Sequence, residues 1–576
     1  MNSLKYKDSV YETWPCGDLR ELMNGSVERY GDRAAFLVKD RPGGSYQPIS
    51  YRQLRRDVTA FGSALLSLGL KGNKIAVIGE NRYEWIVSYL ATVCGVGVIV
   101  PIDRELLADE ISGLLKRSGA QTIVYSGKLE KTISDAIELL GGIDTKISMD
   151  AADNDKSRYS MQALISTGNE LISGGHKEYF EIEIDPDSMC SLIYTSGTTG
   201  VAKGVMLSHK NIIFNVIGMQ EHFDARGKMF LDVLPMHHTY EFSCGILGTM
   251  YQGCTVAICE GLKYVVKNMA ECKANVILAV PLMFEKMHQK IWKQAESQGR
   301  TKVLRRAIAV SKALGDKKLT RATKRVFKSI HQSLGGEMQL FIAGGAACDP
   351  TVISDFNAMG IKMVQGYGMT ENAPIVTVNK DRCHKDASAG LPIAGTKIRI
   401  DEPDNNGIGE IVFSGPSVML GYYNEPEETT KVLKNGWLYS GDLGYLDEDG
   451  FLFLTGRKKN IIVTKNGKNI SPEEVEEYLL RSPCIEEVVV WGKDETRIGD
   501  TVICAEIFPD MEALQKEYGD GILSDEEKLH KAIDAEVDKA NDMMPAYKRV
   551  RRFILRDKEF EKTTTKKIKR HVLKHE

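Results

Sequence analysis

The chain has 576 residues, 43% of them hydrophobic and 27% charged, and its formal net charge of -3 gives no overall positive field that would attract nucleic acid. This length exceeds what one hydrophobic core usually holds, so we expect more than one domain. The eleven cysteines include no C-x-x-C pair, which favours buried thiols in a reducing compartment over a disulfide or zinc framework and predicts a cytoplasmic protein.

Apolar runs of strand length alternate with helical patterns through the first two thirds of the chain. The runs Lys74–Ile78, 275–280 and 339–343 are examples, and this alternation is typical of parallel α/β architecture. The most apolar run, 85–100, is interrupted by hydroxyl residues and glycines. We interpret that run as a buried helix followed by a strand and not as a membrane span.

A short apolar strand in residues 191–204 runs into a loop of hydroxyl residues, glycines and one lysine. Glycines let backbone N–H groups converge on phosphate oxygens, and the hydroxyl groups and the lysine add further donors. A Walker A loop is excluded, because that motif would need glycine at Ala202 and a hydroxyl at Gly204. A polar surface turn is the alternative interpretation. The predicted phosphate-binding residues are Thr195, Ser196, Gly197, Thr198, Thr199, Gly200 and Lys203.

The pattern changes in the last third of the chain. Residues 397–400 and 410–413 predict short antiparallel strands of a small β subdomain. Further on, Ser471 and Glu474 form a predicted capping box with Pro472 in the first helical position. Strand patterns near 485–491 and 501–508 and a helical pattern over 525–539 then predict a compact α+β unit. We place the domains at residues 1–456 and 457–576.

The glycine and hydroxyl loop resembles the signature loop of the adenylate-forming superfamily, which includes acyl-CoA synthetases, peptide-synthetase adenylation domains and luciferases. Five further segments match that superfamily in the same order and cover nearly the whole chain. The resemblance implies an α/β fold: a large N-terminal domain of stacked, mostly parallel sheets with helices plus a small β subdomain, followed by a small mobile α+β C-terminal domain. It also implies that the chain binds ATP with Mg²⁺.

Two segments resemble the adenine side of the family's nucleotide site. The turn Gly344, Gly345 and Ala346 is expected to lie against the adenine. In the second segment the resemblance implies that Tyr367 stacks on adenine, Thr370 meets phosphate and Glu371 holds magnesium, with Thr195 as a second candidate metal ligand. A ring face suits a purine and a carboxylate oxygen suits a hard cation. Gln365, Gly366 and Gly368 complete the predicted cofactor-binding motif. Without the resemblance, Tyr367 would be interpreted as a core residue and Glu371 as a solvated carboxylate.

The remaining segments supply ribose, hinge and thiol-tunnel residues in the family. The resemblance implies that Asp442 accepts the ribose hydroxyls, that Arg457 lies near the ribose and that Lys459 is the pivot. Gly467 would face the pantetheine tunnel, and Lys567 would bridge the carboxylate and the α-phosphate as the catalytic lysine. Rotation about the pivot would exchange the Lys567 and Gly467 segments. A surface turn at Asp442, a basic linker around Lys459 and a basic tail around Lys567 are the alternatives.

One departure bears on the position of this lysine. The family often has glycine where this chain has Lys566, so a register error of one residue stays open.

Residues 234–241 and 280–286 resemble elements of the long-chain fatty acyl-CoA synthetase branch, and residues 421–423 also agree with it. His238 is included among the candidate catalytic residues as a residue lining the acyl channel, with simple packing or a metal site shared with Glu241 as alternatives. Leu282 and Phe242 replace arginines of the branch, which leaves the preferred chain length open. Gly245 and Gly248 either leave room for an alkyl tail or serve close helix packing.

The sequence therefore predicts an ATP-dependent fatty acid–CoA ligase that uses ATP, Mg²⁺ and coenzyme A on a medium- or long-chain acid. The alternatives are transfer to an acyl carrier protein, or a CoA ligase for an aryl or other bulky acid. A catalytically inactive nucleotide-binding regulatory protein is an alternative of another class. Oligomeric state and peripheral membrane contact for acquiring the substrate stay open.

Overall fold

The computed structural model describes residues 11–195, 202–314, 327–463, 469–495, 500–522, 525–563 and 568–573. The chain divides into two compact units. The first comprises residues 1–397, 413–438 and 448–451, and the second comprises residues 398–412, 439–447 and 452–576.

An eight-stranded sheet in the first unit is parallel except for the two strand pairs at one edge. Its buried strands are rich in Val and Ile, as expected where both faces of a parallel sheet are covered. In spatial order its strands are β19 (Gly421–Tyr422), β9 (Lys203–Ser208), β8 (Met189–Thr195), β4 (Val98–Ile102), β3 (Lys74–Ile78), β5 (Thr122–Tyr125), β6 (Thr145–Ser148) and β7 (Tyr159–Ser160).

A nine-stranded sheet of the first unit has five consecutive parallel pairs, from β1 to β14, and antiparallel pairs at both edges. In spatial order its strands are β16 (Leu391–Pro392), β15 (Ile375–Val378), β14 (Lys362–Gly368), β13 (Leu340–Ala343), β12 (Val276–Ala279), β10 (Met229–Asp232), β11 (Thr255–Ile258), β1 (Ala34–Lys39) and β2 (Tyr46–Ser50). Because carboxyl ends of parallel strands share one edge, the segments after β10, β12 and β13 emerge together there.

The helix His209–Gln220 contacts both large sheets, through β9 and β15. Its buried Asn215 side chain donates to the carbonyl oxygens of Asn372 and Ile375, at 2.8 Å each, and so fixes the turn after β14. The other α-helices of the first unit are Leu19–Tyr30, Tyr51–Ser67, Tyr83–Ala91, Ala108–Ser118, Glu130–Leu140, Met161–Ser173, Glu178–Glu181, Gly248–Tyr251, Val265–Cys272, Pro281–Ser297, Thr301–Leu314, Lys328–Ser333, Pro350–Ala358 and Pro426–Val432.

Shorter helical turns join these elements. Two are π-helical, Thr92–Val96 and Tyr240–Leu247, and the first-unit 3₁₀ turns are Gly127–Leu129, Leu262–Tyr264 and Thr370–Asn372.

Short strands of the last third of the chain form three further sheets. A five-stranded sheet has the order β17 (Lys397–Asp401), β18 (Gly409–Ser414), β21 (Trp437–Leu446) and β20 (Leu433–Lys434), with β22 (Leu452–Arg457) also on β21. β23 (Ile462–Val463) pairs with β24 (Asn469–Ile470). β25 (Ile485–Glu495), β26 (Asp500–Pro509) and β27 (Val550–Leu555) form a third sheet, packed on the helices Pro472–Leu479, Met511–Tyr518 and Glu526–Asp542. The 3₁₀ turns here are Lys458–Asn460, Asp520–Ile522, Ala546–Lys548 and Arg570–Val572.

The predicted fold class is confirmed, with a large α/β part and a smaller α+β part. The apolar run 85–100 is a buried helix that continues through a π-helical turn into β4, as expected. The capping box is wrong in detail, although a helix does begin at Pro472. The Ser471 hydroxyl donates to Glu473 at 2.8 Å, and Glu474 pairs with Lys548, so neither side chain caps the helix.

All eleven cysteines lie among the described residues, and each is a free thiol, eight of them buried. Burial raises the pKa of most of these thiols, which keeps them protonated and unreactive. Within the described ranges, every helix is too short or too polar to cross a bilayer.

Candidate active site

The predicted phosphate loop begins where β8 ends and stops where β9 begins. Thr195 is the last residue of β8 and is the antiparallel register partner of Lys203, the first residue of β9. This pairing holds the two ends of the loop together. Five of the predicted phosphate-binding residues lie outside the described residues: Ser196, Gly197, Thr198, Thr199 and Gly200.

Lys203 is surrounded by anionic and aromatic groups. Its ammonium forms an ion pair with Glu428 and lies 5.1 Å from the centroid of the Tyr422 ring. Glu428 also pairs with Lys431. Hydrogen bonds from Lys203 and then from Lys431 lower the pKa of Glu428 to about 2, so the carboxylate is charged at neutral pH. The phosphate-loop lysine is thus held by a counter-ion from a separate helix, Pro426–Val432.

Glu371 lies on the 3₁₀ turn Thr370–Asn372, directly after β14. The residue is only 9% exposed, and its Oε1 accepts a hydrogen bond from the Tyr422 hydroxyl at 2.9 Å. The backbone N–H of Met419 donates to the Glu371 carbonyl at 2.9 Å. Thr370 and Glu371 therefore lie on a turn that is fixed by hydrogen bonds from two other parts of the chain.

The chemistry of Glu371 fits the implied magnesium ion. Mg²⁺ prefers carboxylate oxygen and is usually held by one or two carboxylates together with substrate phosphates. In the part of the chain that the structure describes, no cluster of three or more His, Cys, Asp or Glu residues could hold a metal by itself. A site with one carboxylate, completed by phosphate oxygens, suits Glu371, and Thr195 would add a neutral hydroxyl.

The turn after β13 carries the predicted adenine contacts. Gly344 is buried, and a Cβ there would lie 2.7 Å from the Tyr240 ring carbon Cζ, so only glycine allows this packing. Gly345 has φ +87°, which favours glycine, and both Gly345 and Ala346 are exposed. Glycine is therefore favoured at position 344 by the close approach of a side chain and at position 345 by a left-handed backbone conformation.

β14 carries the rest of the adenine motif. The Gln365 amide accepts from the Cys348 N–H at 3.0 Å and donates to the Asp386 carbonyl at 3.1 Å. A Cβ at Gly366 or Gly368 would lie within 3 Å of a carbonyl oxygen on the neighbouring segment. Tyr367 is largely buried. Gln365, Gly366 and Gly368 thus serve the backbone packing that holds this strand, while adenine stacking by Tyr367 stays a prediction.

A largely apolar cavity lies in the first unit. Tyr240, which lines it, is the same side chain that packs against Gly344, and its hydroxyl donates to the Ile342 carbonyl at 3.0 Å. Gly248 also lines the cavity, while a Cβ at Gly245 would lie 2.3 Å from Glu241 Oε1. Other lining residues, which sequence reasoning missed, include Met219, Phe223, Phe230, Thr249, Cys254 and Leu278. They are dispersed among separate elements, so no local motif identifies them.

His238 is half-buried in the turn that precedes the π-helical segment Tyr240–Leu247. Its ring centroid lies 5.2 Å from that of His237. His237 is near Asp103, with Nε2 3.6 Å from a carboxylate oxygen, yet burial lowers the pKa of its imidazole to about 4. His237 is therefore neutral at pH 7, and the catalytic assignment of His238 stays a prediction.

Asp232 and Glu241 form a buried acid pair that sequence reasoning missed. Each is only 1% exposed. Asn81 donates to both Asp232 oxygens, at 2.9 and 3.0 Å, whereas Glu241 Oε2 has no hydrogen-bond partner among the described residues. Burial raises the pKa of Asp232 to about 7, and burial together with the neighbouring Asp232 raises that of Glu241 well above its usual range. The pair therefore keeps a proton at neutral pH. The signal available in the sequence was one acidic residue, Glu241, within the apolar run 240–251.

The second unit contains the predicted ribose and hinge residues. Asp442 and Arg457 are cross-strand partners on β21 and β22, and the Arg457 Nε atom lies 2.9 Å from Asp442 Oδ1. Glu410 accepts the Gly441 N–H at 3.0 Å and pairs with Lys458 at 2.7 Å. The residues predicted for ribose and hinge are thus held together within one sheet.

The remaining predicted residues of this unit are only partly described. Lys459 lies in the 3₁₀ turn Lys458–Asn460, directly after β22, and burial, with a smaller contribution from Arg457, lowers the pKa of its ammonium. Gly467 and Lys567 lie outside the described residues.

Comparisons with known proteins agree with this arrangement over both units. The AMP-binding enzyme family matches residues 24–423, and the AMP-binding enzyme C-terminal domain matches residues 459–576. Two solved structures share the fold. The anthranilate CoA ligase AuaEII with anthranoyl-AMP has a TM-score of 0.74 at 19% identity, over 99% of this chain and 98% of that one. The o-succinylbenzoate CoA synthetase of Bacillus subtilis with its acyl-adenylate has a TM-score of 0.71 at 21% identity, over 95% and 96%.

Several curated relatives are fatty-acid ligases by name. The chain is 30% identical to a long-chain-fatty-acid–[acyl-carrier-protein] ligase, AEE15, of Arabidopsis thaliana, over 86% of this chain and 77% of the relative. It is 28% identical to the long-chain-fatty-acid–CoA ligase FadD15 of Mycobacterium bovis, over 92% and 91%. A long-chain-fatty-acid–CoA ligase of Escherichia coli is 27% identical over 84% of each chain. The chain belongs to the AMP-binding enzyme family, in the long-chain acyl-CoA synthetase branch of the adenylate-forming superfamily.

Proposed function

We propose that this chain is an ATP-dependent fatty acid–CoA ligase. It would convert acid and ATP to acyl-adenylate and pyrophosphate, and then acyl-adenylate and coenzyme A to acyl-CoA and AMP. The observation that carries this proposal is the apolar cavity whose wall residue, Tyr240, packs against Gly344 of the predicted adenine turn. An alkyl chain in that cavity would present its carboxylate towards the nucleotide.

The first half-reaction brings two anions together. A carboxylate oxygen attacks the α-phosphorus of ATP, a phosphorus–oxygen bond forms, and pyrophosphate leaves with the electron pair of the bond that breaks. Charge compensation and alignment are therefore what the chain must supply. We assign Lys203 and Thr370 to the outer phosphates and Glu371, with Thr195, to magnesium. Bound magnesium would neutralise phosphate charge. Lys203 carries the charge for its role, and Glu371 offers carboxylate oxygens on a turn fixed by hydrogen bonds.

The second unit would complete the reaction. We assign Asp442 and Arg457 to the ribose, Lys459 to the hinge, Gly467 to the pantetheine tunnel and Lys567 to the carboxylate and α-phosphate. The cross-strand pairing of Asp442 with Arg457 supports the first assignment, because it holds the two residues side by side on neighbouring strands. A boundary near residues 456 and 457 is proposed on the same grounds. The matches of the two family domains, which end at 423 and begin at 459, support that boundary.

Transfer to an acyl carrier protein is the second candidate, because the relative at 30% identity is named for that acceptor. In both cases a thiolate attacks the acyl carbon of the adenylate and AMP leaves. A cytoplasmic location is proposed from the eleven free thiols. Peripheral membrane contact stays a prediction.

An ATP–pyrophosphate exchange screen over saturated acids of increasing length tests the first half-reaction. Thioester formation is then measured with coenzyme A and, separately, with holo acyl carrier protein. We expect exchange that depends on a medium- or long-chain acid, and thioester only with coenzyme A. Exchange with aryl acids alone, or with no acid, would contradict the fatty-acid assignment.

Replacing the proposed catalytic lysine separates the two half-reactions. Lys567→Ala is expected to lower pyrophosphate exchange at least about 1,000-fold, because one cation facing both anions is lost. Thioester formation from supplied acyl-adenylate is expected to change little. Lys566→Ala is the matched control, since it removes the neighbouring charge. Equal loss of both half-reactions in Lys567→Ala, or a larger effect of Lys566→Ala, would contradict the assignment.

A further inference from the structure

The segment 419–431 joins the two parts of the proposed nucleotide site. Its strand β19 pairs with β9 directly after Lys203, with Tyr422 opposite Val205. The N–H of Tyr423 donates to the Gly204 carbonyl at 2.7 Å. On its other side, Met419 donates to the carbonyl of Glu371. One short segment is thereby fixed both to the strand that carries the phosphate-loop lysine and to the turn that carries the metal-binding carboxylate.

The segment is braced internally at Gly421. This residue has φ +137°, and a Cβ there would lie 2.9 Å from the Thr429 Cγ2 atom. The Thr429 hydroxyl accepts the Tyr422 N–H at 2.9 Å and donates to the Glu425 carbonyl at 2.9 Å. The backbone of Tyr422 is thus tied to the helix that carries Glu428, and the two side chains reach the site from one rigid piece of chain.

Tyr422 makes two contacts of different kinds. Its hydroxyl donates to Glu371 Oε1 at 2.9 Å, and its ring faces the Lys203 ammonium at 5.1 Å. The residue is only 7% exposed, and the Glu371 carboxylate that its hydroxyl contacts is 9% exposed. A hydrogen bond to a buried carboxylate selects one rotamer of that carboxylate.

Glu428 contributes charge from the other side. Its carboxylate forms an ion pair with the Lys203 ammonium. The outer phosphates of ATP would bind the same ammonium. An anion beside a polyanion site opposes phosphate binding and favours phosphate release. Glu428 also pairs with the exposed Lys431, so it keeps a partner when Lys203 turns to phosphate.

We propose that segment 419–431 is a working part of the nucleotide site, in which Tyr422 is a positioning residue for Glu371 and Glu428 is the counter-ion that the outer phosphates displace from Lys203. The inference rests on the proposed function, since it takes Glu371 as the magnesium ligand and Lys203 as a phosphate ligand. It predicts effects of opposite sign from two residues of one segment. Loss of the Tyr422 hydroxyl weakens metal binding, whereas loss of the Glu428 charge strengthens nucleotide binding.

Binding to the full chain tests this without turnover. Mn²⁺ serves as the probe for the metal, with α,β-methylene-ATP as the nucleotide, and bound Mn²⁺ is followed by electron paramagnetic resonance. Tyr422→Phe keeps the ring and removes only the hydroxyl. We expect its Mn²⁺ dissociation constant to rise about threefold to tenfold, the equivalent of one lost hydrogen bond. Tyr423→Phe is the matched control and is expected to match the wild type.

The nucleotide arm uses the same probe molecule. Glu428→Gln is expected to lower the dissociation constant of α,β-methylene-ATP about threefold to tenfold, because one negative charge near the phosphates is removed. Glu427→Gln removes the same charge from the adjacent position of the helix and is expected to have less than half that effect in logarithmic units. If Tyr422→Phe fails to fold, the nucleotide binding of Glu428→Gln and its control alone tests the proposal.

The reference variant Glu371→Gln distinguishes failure of the Tyr422 role from failure of the magnesium assignment. Weaker Mn²⁺ binding in Glu371→Gln together with wild-type binding in Tyr422→Phe would overturn the role of Tyr422 and leave the proposed function intact. Unchanged Mn²⁺ binding in Glu371→Gln would overturn the magnesium assignment and this inference with it. Weaker nucleotide binding in Glu428→Gln would overturn the counter-ion role. Losses of the same sign in both variants, with lowered melting temperatures, would show a merely structural segment.

Discussion

Two buried carboxylate sites in the first unit have opposite surroundings. Glu371 accepts a hydrogen bond from the Tyr422 hydroxyl, and the ring of Tyr422 faces the Lys203 ammonium, which pairs with Glu428. Within the described part of the chain, the groups that hydrogen-bond to the acid pair Asp232 and Glu241 include no cation, and burial raises the pKa of both carboxyls. The same functional group is thus suited to hold an ion at one site and a proton at the other.

This difference agrees with the neighbours of each site. The acid pair joins the end of β10 to the π-helical segment that supplies Tyr240 and Cys244 to the cavity wall. Glu371 follows β14 on the turn fixed by Asn215. We therefore assign the acid pair to holding the wall of the acyl cavity and Glu371 to handling ions.

The largest effect is expected from removing charge at the ion-handling site. Glu371→Gln keeps the size and can still accept from Tyr422, but it loses the negative charge. We expect pyrophosphate exchange to fall at least about 100-fold, as for removal of one electrostatic contact to a reacting group. The rise in melting temperature given by magnesium and an ATP analogue should shrink as well. An unchanged exchange rate would show that the two carboxylate sites do not differ as we describe.

At the acid pair, neutral replacement and truncation should have very different effects. Glu241→Ala leaves a cavity and is expected to cost about 2–4 kcal/mol in the free energy of unfolding. Glu241→Gln is the matched control and should cost less than about 1 kcal/mol at pH 6, because glutamine imitates the protonated acid. Urea denaturation of both variants measures this. A Gln variant as unstable as the Ala variant would indicate that Glu241 is charged in the folded protein.

A change in the cavity wall next to the acid pair should affect the use of the fatty acid substrate and not the binding of ATP. Gly248→Ala places a methyl group 2.7 Å from the flexible Met219 tip and inside the cavity lining. We expect kcat/KM for the longest accepted acid to fall about tenfold, the order of one methylene misfit, with KM for ATP unchanged. Gly113→Ala, at a helical glycine with open space around it, is the control. A changed KM for ATP would mean that this wall also serves the nucleotide.

The smallest effect is a pH dependence of stability. Carboxyls of the unfolded chain titrate near pH 4, whereas in the folded chain the pKa of Asp232 is raised to about 7 and that of Glu241 well above its usual range. Above pH 4 the folded state therefore holds more protons than the unfolded state, so the contribution of the pair to stability falls as pH rises. Glu241→Gln removes one of these protons, and its stability relative to the wild type should rise by at least about 1 kcal/mol from pH 6 to pH 8.5. Urea titrations at both pH values measure it, and a constant difference would contradict the shared proton.

Short motifs carried the predictions for the nucleotide side of this protein. Gly345 follows from a local backbone demand, its left-handed φ, and a carboxylate such as Glu371 must directly follow its strand to reach a shared sheet edge. Strands such as β3 and β12 were predictable because parallel sheets bury continuous Val and Ile runs. The capping box failed because a tertiary ion pair, Glu474 with Lys548, competes for one of its side chains.

The acyl cavity, the acid pair and the Tyr422 contacts were decided by tertiary structure. Residues in contact there are far apart in sequence, as in Asn81 and Asp232, Met219 and Val378, or Lys203 and Tyr422, and no local spacing encodes such pairs. The sequence by itself determined the family, the fold class and the residue types of the nucleotide site, because backbone conformation and phosphate chemistry act over a few residues. Only the folded chain decided which carboxyls are buried together with raised pKa values and which one accepts a hydroxyl donor, since that depends on desolvation and on partners from distant elements.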